Sequence, residues 1–482
     1  MSATFHPLRA ADYRAAYLEG RTTPSAVAES LLKASRAAKS RNPSMSLFIT
    51  QYGAEVRALA AASTERYAQG GSLGPLDGVP VSVKDEIDQE GYPTTVGTSF
   101  LGKAPALCDA EVVARLRASG ALLCGKANMQ EIGLGVTGIN PHHGAARNPY
   151  DARRMTGGSS SGSGAMVGAG LCPLSIGADG GGSIRIPAAL CGVVGLKPTF
   201  GRVSEHGAAP LCWSLAHLGP IGATVQDVAT ALEVIAGPDA ADPNTLGQPE
   251  LGKPALGAER RGVEGLRIGW SDTWASKAEP ELRTLCFAAV ETLVQAGARR
   301  VEVDLQDLDL MAPVQYVTIG VEMAASQHEW RRDHMRDYAA DTRLLLEMAS
   351  RVSGVDYVRA QRFRTLISQR FAGVFEEVDV LATPMTAITA PMIPKGAEKS
   401  GLSDDAVLEG ITAFSFAANL TGLPALTLPV GYDVSGLPVG LQLMGKHWQE
   451  ALLLEVGAVL EAGIKRRAPA IHFDVLGAAL IS

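Results

Sequence analysis

The residues best suited to chemistry in this sequence are serines set among glycines between residues 137 and 222. Ser159 and Ser160 follow two glycines, and Ser183 follows the triple glycine Gly180-Gly181-Gly182. A serine hydroxyl becomes an effective nucleophile only when a neighbouring base removes its proton. The triple glycine offers consecutive backbone N–H groups that no side chain shields, as an oxyanion site requires. A glycine-rich segment among apolar residues indicates backbone close to a ligand, and its serines favour acyl transfer.

Other motif matches in the chain lack the structural context that they need. The pattern GxGxxG at 133–138 requires a strand before it and a helix after it, but residues 139–141 (INP) follow. The pattern GxSxG at 158–162 requires a buried strand upstream, whereas residues 148–154 have the composition of a polar loop. A serine in that pattern would need a downstream histidine as its base, and this alternative stays open. The pair His142-His143 has no nearby carboxylate that would complete a metal site.

The composition is that of a well-packed globular protein. Of the 482 residues 46% are apolar and 19% are charged, which excludes intrinsic disorder. The net charge is −7 and aromatic residues make up 5%, so neither a basic patch nor a base-stacking surface indicates nucleic acid. The six cysteines have no paired spacing, and we expect reduced, buried thiols. The N-terminal residues carry charges without an apolar leader, and the longest uncharged run, 155–178, is rich in glycine and serine. We therefore expect a cytoplasmic protein with no membrane span.

The elements around these serines alternate between helix and strand. Residues 79–83 alternate as a strand that delivers Lys84 at its end, and apolar spacing predicts helices over 26–38 and 110–119. Alternation of this kind favours an α/β architecture. The other predicted elements are a helix over 126–132, an exposed loop over 237–262, strands over 266–270 and 378–383, a helix over 279–296 and a helical region over 311–374. No convincing boundary divides the chain, so we expect one domain with insertions.

Three motifs in the glycine-rich segment resemble the core of the amidase signature family. They are GGSS at 157–160, DGGGSIRIPA at 179–188 and CGVVGLKPT at 191–199. Further matches outside this core are PLDGVPVSVKDEID at 75–88, DVLATP at 379–384, NLTGLPA at 419–425 and GLPVGLQL at 436–443. The resemblance covers nearly the whole chain. Within the family it is closest to plant-type fatty acid amide hydrolases and to the bacterial amidases related to them.

The resemblance implies a fold and an activity. We expect one domain over residues 1–482, with a large twisted mixed β-sheet covered by helices on both faces. The catalytic core would span 60–225, and a helical insertion over 305–375 would shape the substrate pocket. The implied activity is cleavage of amide C–N bonds through a serine acyl-enzyme, with no cofactor and no metal ion.

The resemblance also implies roles for individual residues. Ser183 would be the nucleophile, Ser159 a bridging serine on a cis peptide bond, and Lys84 the base. The oxyanion hole would consist of Gly180, Gly181 and Gly182, with Ser160, Asp179 and Arg185 as supporting residues. The substrate pocket would include Gly133, Val136, Thr137, Gly158 and Trp213, whereas His217 is expected to be structural.

The expected base has a physical requirement of its own. Lysine accepts a proton only when it is neutral, and its ordinary pKa is about 10.4. Burial favours the neutral amine, so the apolar strand before Lys84 and the bed of serine and glycine are suitable surroundings. A carboxylate beside the amine would favour the charged form instead. We therefore predict that the side chains of Asp85 and Glu86 point away from Lys84.

Two other functions compete with a free-standing hydrolase. The glutaminase-like A chain of a tRNA-dependent amidotransferase is one, but His217 stands where that chain usually has glutamine, and VTGIN at 136–140 replaces its usual STEN. A catalytically dead binding protein is the other, although every expected reacting residue is present. The expected partner is a small amide, and anilides, carbamates or esters also suit such a site. The sequence leaves the acyl and amine groups and the oligomeric state open, a homodimer being one of the alternatives.

Overall fold

One mixed β-sheet of eleven strands runs through the part of the chain that the structure, a computed structural model, describes: residues 5–254, 256, 262–305 and 308–481. The strands are β1 Phe48–Thr50, β2 Pro80–Lys84, β3 Leu122–Ala127, β4 Leu174–Ala178, β5 Val194–Lys197, β6 Leu218–Gly222, β7 Arg267–Trp270, β8 Arg299–Glu302, β9 Val380–Pro384, β10 Ala425–Tyr432 and β11 Pro438–Gly445. Their order in the sheet is β1-β3-β2-β4-β6-β5-β10-β11-β9-β7-β8. Strands β3, β2 and β4 are parallel, as are β9, β7 and β8, and the other neighbours are antiparallel.

Helices cover both faces of this sheet. They are α1 Ala10–Leu18, α2 Pro24–Ser40, α3 Gly53–Ala68, α4 Glu111–Ala118, α5 Ser161–Gly168, α6 Arg185–Cys191, α7 Val225–Ile235, α8 Asp272–Ala275, α9 Pro280–Gln295, α10 Met311–Ser326, α11 His328–His334, α12 Ala340–Ala349, α13 Gly354–Glu377, α14 Ala397–Ser400, α15 Asp405–Thr412, α16 Phe416–Thr421, α17 Glu450–Gly463 and α18 Val475–Ile481. Helices α5 and α6 pack together on one face, and α7, α17 and α9 pack in a row on the other. On β10, Leu426 faces α17 while its neighbour Thr427 lies on the side of α6, as the alternation of a strand requires. The expected α/β fold is confirmed.

Most of the predicted elements near the site are present. Strand β2 overlaps the predicted strand at residues 80–83, and α2 and α4 match the two predicted helices to within two residues at each end. The helix predicted over 126–132 is wrong. Its first residues end β3, and only Glu131–Gly133 form a single 3₁₀ turn. The reason is strand pairing: the apolar run before Lys126 is hydrogen-bonded between β1 and β2, which overrides the local helical spacing.

Farther along the chain the sequence patterns also match. Strands β7 and β9 and helix α9 lie where they are expected, and α10 to α13 form the predicted helical region. Within the predicted loop over 237–262, the described residues contain one short 3₁₀ helix, Pro243–Thr245, while 255 and 257–261 lie outside the described residues. No helix in the described ranges combines the length and the apolar character that crossing a membrane requires.

Helix α5 (SGSGAMVG) forms although glycine is costly in a helix. Its glycines let the helix approach neighbouring segments more closely than a residue with a side chain could. A Cβ atom at Gly162 would lie 2.6 Å from the backbone N of Asn128, and one at Gly164 would lie 2.9 Å from Pro187 Cβ. Tertiary contacts therefore stabilise this helix in spite of its low intrinsic helix propensity. Its buried N-terminus comes directly after Ser159 and Ser160.

Candidate active site

The carboxyl ends of two neighbouring parallel strands define the site. Lys84 is the last residue of β2, and Asp179 follows directly after β4. The register pairs Val83 with Ile176, so both strands end at the same edge of the sheet. Ligands of open α/β sheets bind at this kind of edge. The start of α5 reaches the same place, because Ser160 Oγ donates a hydrogen bond to the carbonyl oxygen of Ala178 at 3.1 Å.

Lys84 is in direct contact with one of the two expected serines. Its Nζ lies 2.8 Å from Ser159 Oγ and 3.4 Å from the carbonyl oxygen of Ala178. Both Lys84 and Ser159 are 1% exposed, and the Gly158–Ser159 peptide bond is cis. The amine and the hydroxyl are therefore held together in a site that excludes bulk water, where a proton can pass between them.

Ser183 closes the turn that leaves β4. It is buried, and its carbonyl oxygen accepts a hydrogen bond from the backbone N–H of Ser160 at 3.3 Å. In the part of the chain that the structure describes, the backbone N–H groups of Gly180, Gly181 and Ser183 have no hydrogen-bond acceptor. Gly182 departs from the expected set of oxyanion donors, because its N–H donates to Asp179 Oδ1 at 2.7 Å. The buried carboxylate needs donors of its own and takes this one.

Asp179 and Arg185 form the centre of a buried polar network. Arg185 donates to both carboxylate oxygens at 3.0 Å. Although burial opposes it, the Arg185 guanidinium and the Asn419 amide hold the pKa of the Asp179 carboxyl well below its usual range. The remaining Arg185 donors go to Ser415 O, Gln442 Oε1 and Asn419 Oδ1 at 2.6 to 2.9 Å. The network fixes both ends of the turn that carries Ser183, since Asp179 begins the turn and Arg185 follows it.

The prediction about the acidic neighbours of Lys84 is wrong for Glu86. Glu86 Oε2 lies 3.0 Å from Lys84 Nζ, and both side chains are buried. The chain turns directly after β2, with the N–H of Ile87 bonded to the carbonyl of Lys84 at 3.1 Å, and this turn brings Glu86 back beside the amine. Asp85 does point away, because its carboxylate accepts from Thr95 and lies 3.7 Å from Lys126.

The residues expected to line the substrate pocket lie at different distances from the reacting groups. A Cβ atom at Gly133 would lie 3.4 Å from Ser159 Oγ, so this glycine borders the serine directly. Thr137 and Gly158 belong to the wall behind it: Thr137 N–H donates to Gln130 Oε1 at 2.9 Å, and a Cβ at Gly158 would lie 2.9 Å from the N of Gly138. Val136 is half-buried against apolar neighbours, and Trp213 is 50% exposed.

His217 is a neutral, buried side chain behind the turn. Burial, together with Lys197, lowers the pKa of His217 well below its usual range. Its Nδ1 contacts the carbonyl oxygens of Leu215 at 2.8 Å and Asp179 at 3.3 Å. These backbone contacts suit a structural role, as expected, and no strand of the described residues stands directly before the GxSxG pattern. The histidine-dependent alternative therefore gains no support.

Three polar residues that are not among the predicted site residues complete the site. The N–H of Gln130 donates to Ser159 O at 3.1 Å while its Oε1 accepts from Thr137 and Gly138. Gln315 Nε2 donates to Gly180 O at 2.8 Å, and Asn419 Nδ2 donates to Asp179 Oδ1 at 2.9 Å. Asn419 lies in the motif at 419–425, so a signal was present for it. Gln130 and Gln315 lie in no recognised motif.

Comparison with known proteins identifies the relatives of this chain. A family model described as Amidase matches residues 29–454. The fatty acid amide hydrolase of Oryza sativa subsp. indica is 40% identical over 475 residues, which cover 97% of this chain and 78% of that protein. The fatty acid amide hydrolase of Medicago truncatula is 39% identical over 485 residues, which cover 99% of this chain and 80% of that protein. More distant relatives include glutamyl-tRNA(Gln) amidotransferase chains, such as one from Nitratidesulfovibrio vulgaris (strain DP4) that is 37% identical over 436 residues, or 85% of this chain and 87% of that protein.

A solved structure agrees with this assignment. The native peptide amidase from Stenotrophomonas maltophilia is similar to this chain with a TM-score of 0.81 and 29% identity, over 97% of this chain and 98% of that one. The resemblance drawn from the sequence motifs is confirmed by these matches.

Proposed function

Because the chain belongs to the amidase signature family and is an amide-hydrolysing enzyme, we propose that it cleaves amide C–N bonds through an acyl-enzyme formed on Ser183. In this proposal Ser159 and Lys84 move the protons. The observation that carries it is the 2.8 Å contact between Lys84 Nζ and Ser159 Oγ. That contact is buried, and it lies at the edge of the sheet where the turn with Ser183 leaves β4.

Acylation requires one attack, the cleavage of one C–N bond and four proton transfers, two in each direction through Ser159. Ser183 Oγ attacks the carbonyl carbon of the amide, its proton passes to Ser159 Oγ, and the proton of Ser159 passes to Lys84 Nζ. When the tetrahedral intermediate collapses, the C–N bond breaks and the leaving nitrogen takes a proton from Ser159, which regains one from Lys84. The same amine is thus general base first and general acid afterwards.

Deacylation repeats these steps with water as the nucleophile. Water attacks the ester carbonyl of the acyl-enzyme and gives its proton through Ser159 to Lys84. The proton then returns to Ser183 Oγ as the carboxylic acid leaves. No proton is gained or lost by the enzyme over the cycle.

The negative charge of each tetrahedral intermediate needs donors aimed at the substrate oxygen. The N–H groups of Gly180, Gly181 and Ser183 are unoccupied in the described residues, which supports their use as the oxyanion hole. Such a donor typically contributes about 10²–10³ in kcat. Gly182 takes a supporting part here, since its N–H is bonded to Asp179.

The surroundings of the turn favour an apolar group on the substrate. A Cβ atom at Gly180 would lie 3.7 Å from Ile319 Cδ1, and one at Gly181 would lie 3.7 Å from Phe416 Cε1. Phe416 in turn packs edge-to-face on Tyr316 at 5.4 Å between ring centroids. We include anilides, carbamates and esters in the proposed range, because the same nucleophile and donors serve any acyl carbonyl.

The proposal is tested by assaying the purified chain alone. A panel of short amides, anilides, fatty amides and carbamates should include at least one that is turned over without tRNA, ATP or other proteins. A chain that hydrolyses nothing alone, but releases ammonia from glutamine once the other amidotransferase components are added, would instead be the glutaminase-like component of that complex.

A further inference from the structure

Gln315 connects the helical insertion to the glycine turn. It lies on α10 and reaches Gly180, where its Nε2 donates to the carbonyl oxygen at 2.8 Å. Its side chain is 1% exposed. Its Oε1 is also buried and has no hydrogen-bond partner within the described ranges. Burying an amide with one end unpaired costs stability, so packing alone does not explain a glutamine at this position.

The hydrogen bond fixes more than one carbonyl group. A trans peptide is planar, and the C=O of one residue points opposite to the N–H of the next. Holding the carbonyl of Gly180 therefore also sets the direction of the N–H of Gly181. Gly181 is close to the same side chain, since a Cβ atom there would lie 3.2 Å from Gln315 Nε2. No side chain of the glycines themselves restricts this peptide plane.

The two halves of the turn are thus held by different residues. Asp179 holds the N–H of Gly182 at 2.7 Å, on the side next to Ser183. Gln315 holds the first peptide plane, between Gly180 and Gly181. The N–H of Gly181 is left without a partner in the described residues, and its direction depends on the residue from α10.

We propose that Gln315 is a positioning residue that aims the Gly181 N–H at the substrate oxygen in the transition state. This inference rests on the proposed function, because it assumes that the turn is the oxyanion site. It makes the helical insertion part of the catalytic arrangement in addition to a wall of the pocket. Gln315 acts through Gly181 and need not contact the substrate.

The experiment compares Gln315→Met and Gln315→Glu with a matched control. Methionine has a similar length and no donor, so the Gly180–Gly181 peptide is free to rotate. Gln361→Met is the control. Gln361 lies on α13, and its Nε2 donates a hydrogen bond to Thr318 Oγ1 on α10 at 2.9 Å. Among the described hydrogen bonds, none joins Gln361 to the glycine turn. Readouts are kcat and KM on an anilide that the wild type hydrolyses, and the affinity of a trifluoromethyl ketone analogue, which forms a tetrahedral oxyanion on the serine.

We expect Gln315→Met to lower kcat by roughly 10- to 100-fold, less than the complete loss of a donor, with KM within about twofold of wild type. The affinity of the ketone should fall by the same factor as kcat. Gln315→Glu should be less active when its carboxylate is ionised, since two oxygens then face each other. It should recover relative to wild type as the pH is lowered and the acid can donate to Gly180. Gln361→Met should change none of these values by more than about twofold.

Two results would overturn the inference. One is a kcat for Gln315→Met that equals that of wild type. The other is a raised KM with unchanged kcat, which would mean that Gln315 binds the substrate directly. If Gln315→Met does not fold, the pH-dependent recovery of Gln315→Glu decides the question, and its absence counts against the inference. Failure of the proposed function has a different signature, because wild type itself would then neither hydrolyse the anilide nor bind the ketone.

Discussion

Glu86 Oε2 lies 3.0 Å from Lys84 Nζ inside the protein, on the same amine that contacts Ser159 Oγ at 2.8 Å. A carboxylate at this distance favours the charged ammonium, while burial favours the neutral amine. Only the neutral amine accepts a proton from Ser159. The charge on Glu86 therefore stabilises the ammonium that forms when Lys84 takes the proton of Ser159.

Replacing Asp179→Asn should destabilise the protein strongly. Arg185 is fully buried and would lose its counter-charge, which typically costs about 3–5 kcal/mol. Urea denaturation measures this loss as a lower free energy of unfolding. Asp379→Asn is the matched control, because Asp379 and Arg267 also form an aspartate–arginine ion pair. The Arg267 side chain is 30% exposed and that of Asp379 is 29% exposed, so this substitution should lower the free energy of unfolding by less than about 1 kcal/mol. Equal losses in the two variants would contradict the role assigned to the buried network.

The stability of the protein should fall between pH 5 and pH 9 in part because of Glu205. Burial, with Asp242 and Glu86 nearby, raises the pKa of Glu205 to about 8. The folded chain thus keeps a proton that the unfolded chain has lost above its ordinary pKa of 4.5. The stability from this group is fully present below pH 4.5 and is lost as the pH rises through 8.

Glu205→Gln should therefore lose less stability than wild type over this range, by roughly 2–4 kcal/mol. Burial also raises the pKa of Asp227, to about 7, but that group is the same in both proteins and cancels in the difference. Urea midpoints at pH 5 and pH 9 provide the measurement. Parallel pH dependence in the two proteins would mean that Glu205 ionises freely in the folded state.

Local patterns predicted the elements that carry Lys84 and the serines, but not every contact that they make. The apolar alternation before Lys84 and the helical spacing of α2 and α4 are properties of short segments, so they were visible in the sequence. The helix predicted over 126–132 failed because pairing of β3 with its neighbours decides that segment. Similarly, α5 forms a helix because its glycines allow close contact with neighbouring segments. Helix propensity alone does not predict a helix in this segment.

The contacts that complete the site join residues far apart in the chain. Gln315 and Gly180 are separated by 135 positions, and Asn419 and Asp179 by 240. No periodicity connects such pairs, so only the fold can show them. Glu86 is different: it stands two residues after Lys84, and the tight turn after β2 was the missing information.

Lys84→Met should remove most of the activity. The methionine side chain fills a similar apolar space but cannot take a proton, and general base catalysis typically contributes about 10²–10⁴-fold. We expect kcat to fall by at least about a hundredfold. Lys126→Met is the control, since Lys126 is a buried lysine on the neighbouring β3 that contacts Asp85 and Thr94 instead of a candidate serine. A loss of less than tenfold for Lys84→Met would make that lysine structural.

Labelling with a fluorophosphonate shows which serine carries the acyl group, and we expect it to be Ser183. Ser159, Ser160 and Ser183 lie in one tryptic peptide, 155–185, so the adduct must be assigned by fragmentation of that peptide in the mass spectrometer. We expect one phosphonyl group on Ser183 in wild type and no labelling of a folded Ser183→Ala variant. An adduct on Ser160 or another serine in wild type, or labelling that persists in Ser183→Ala, would show that Ser183 is not the nucleophile.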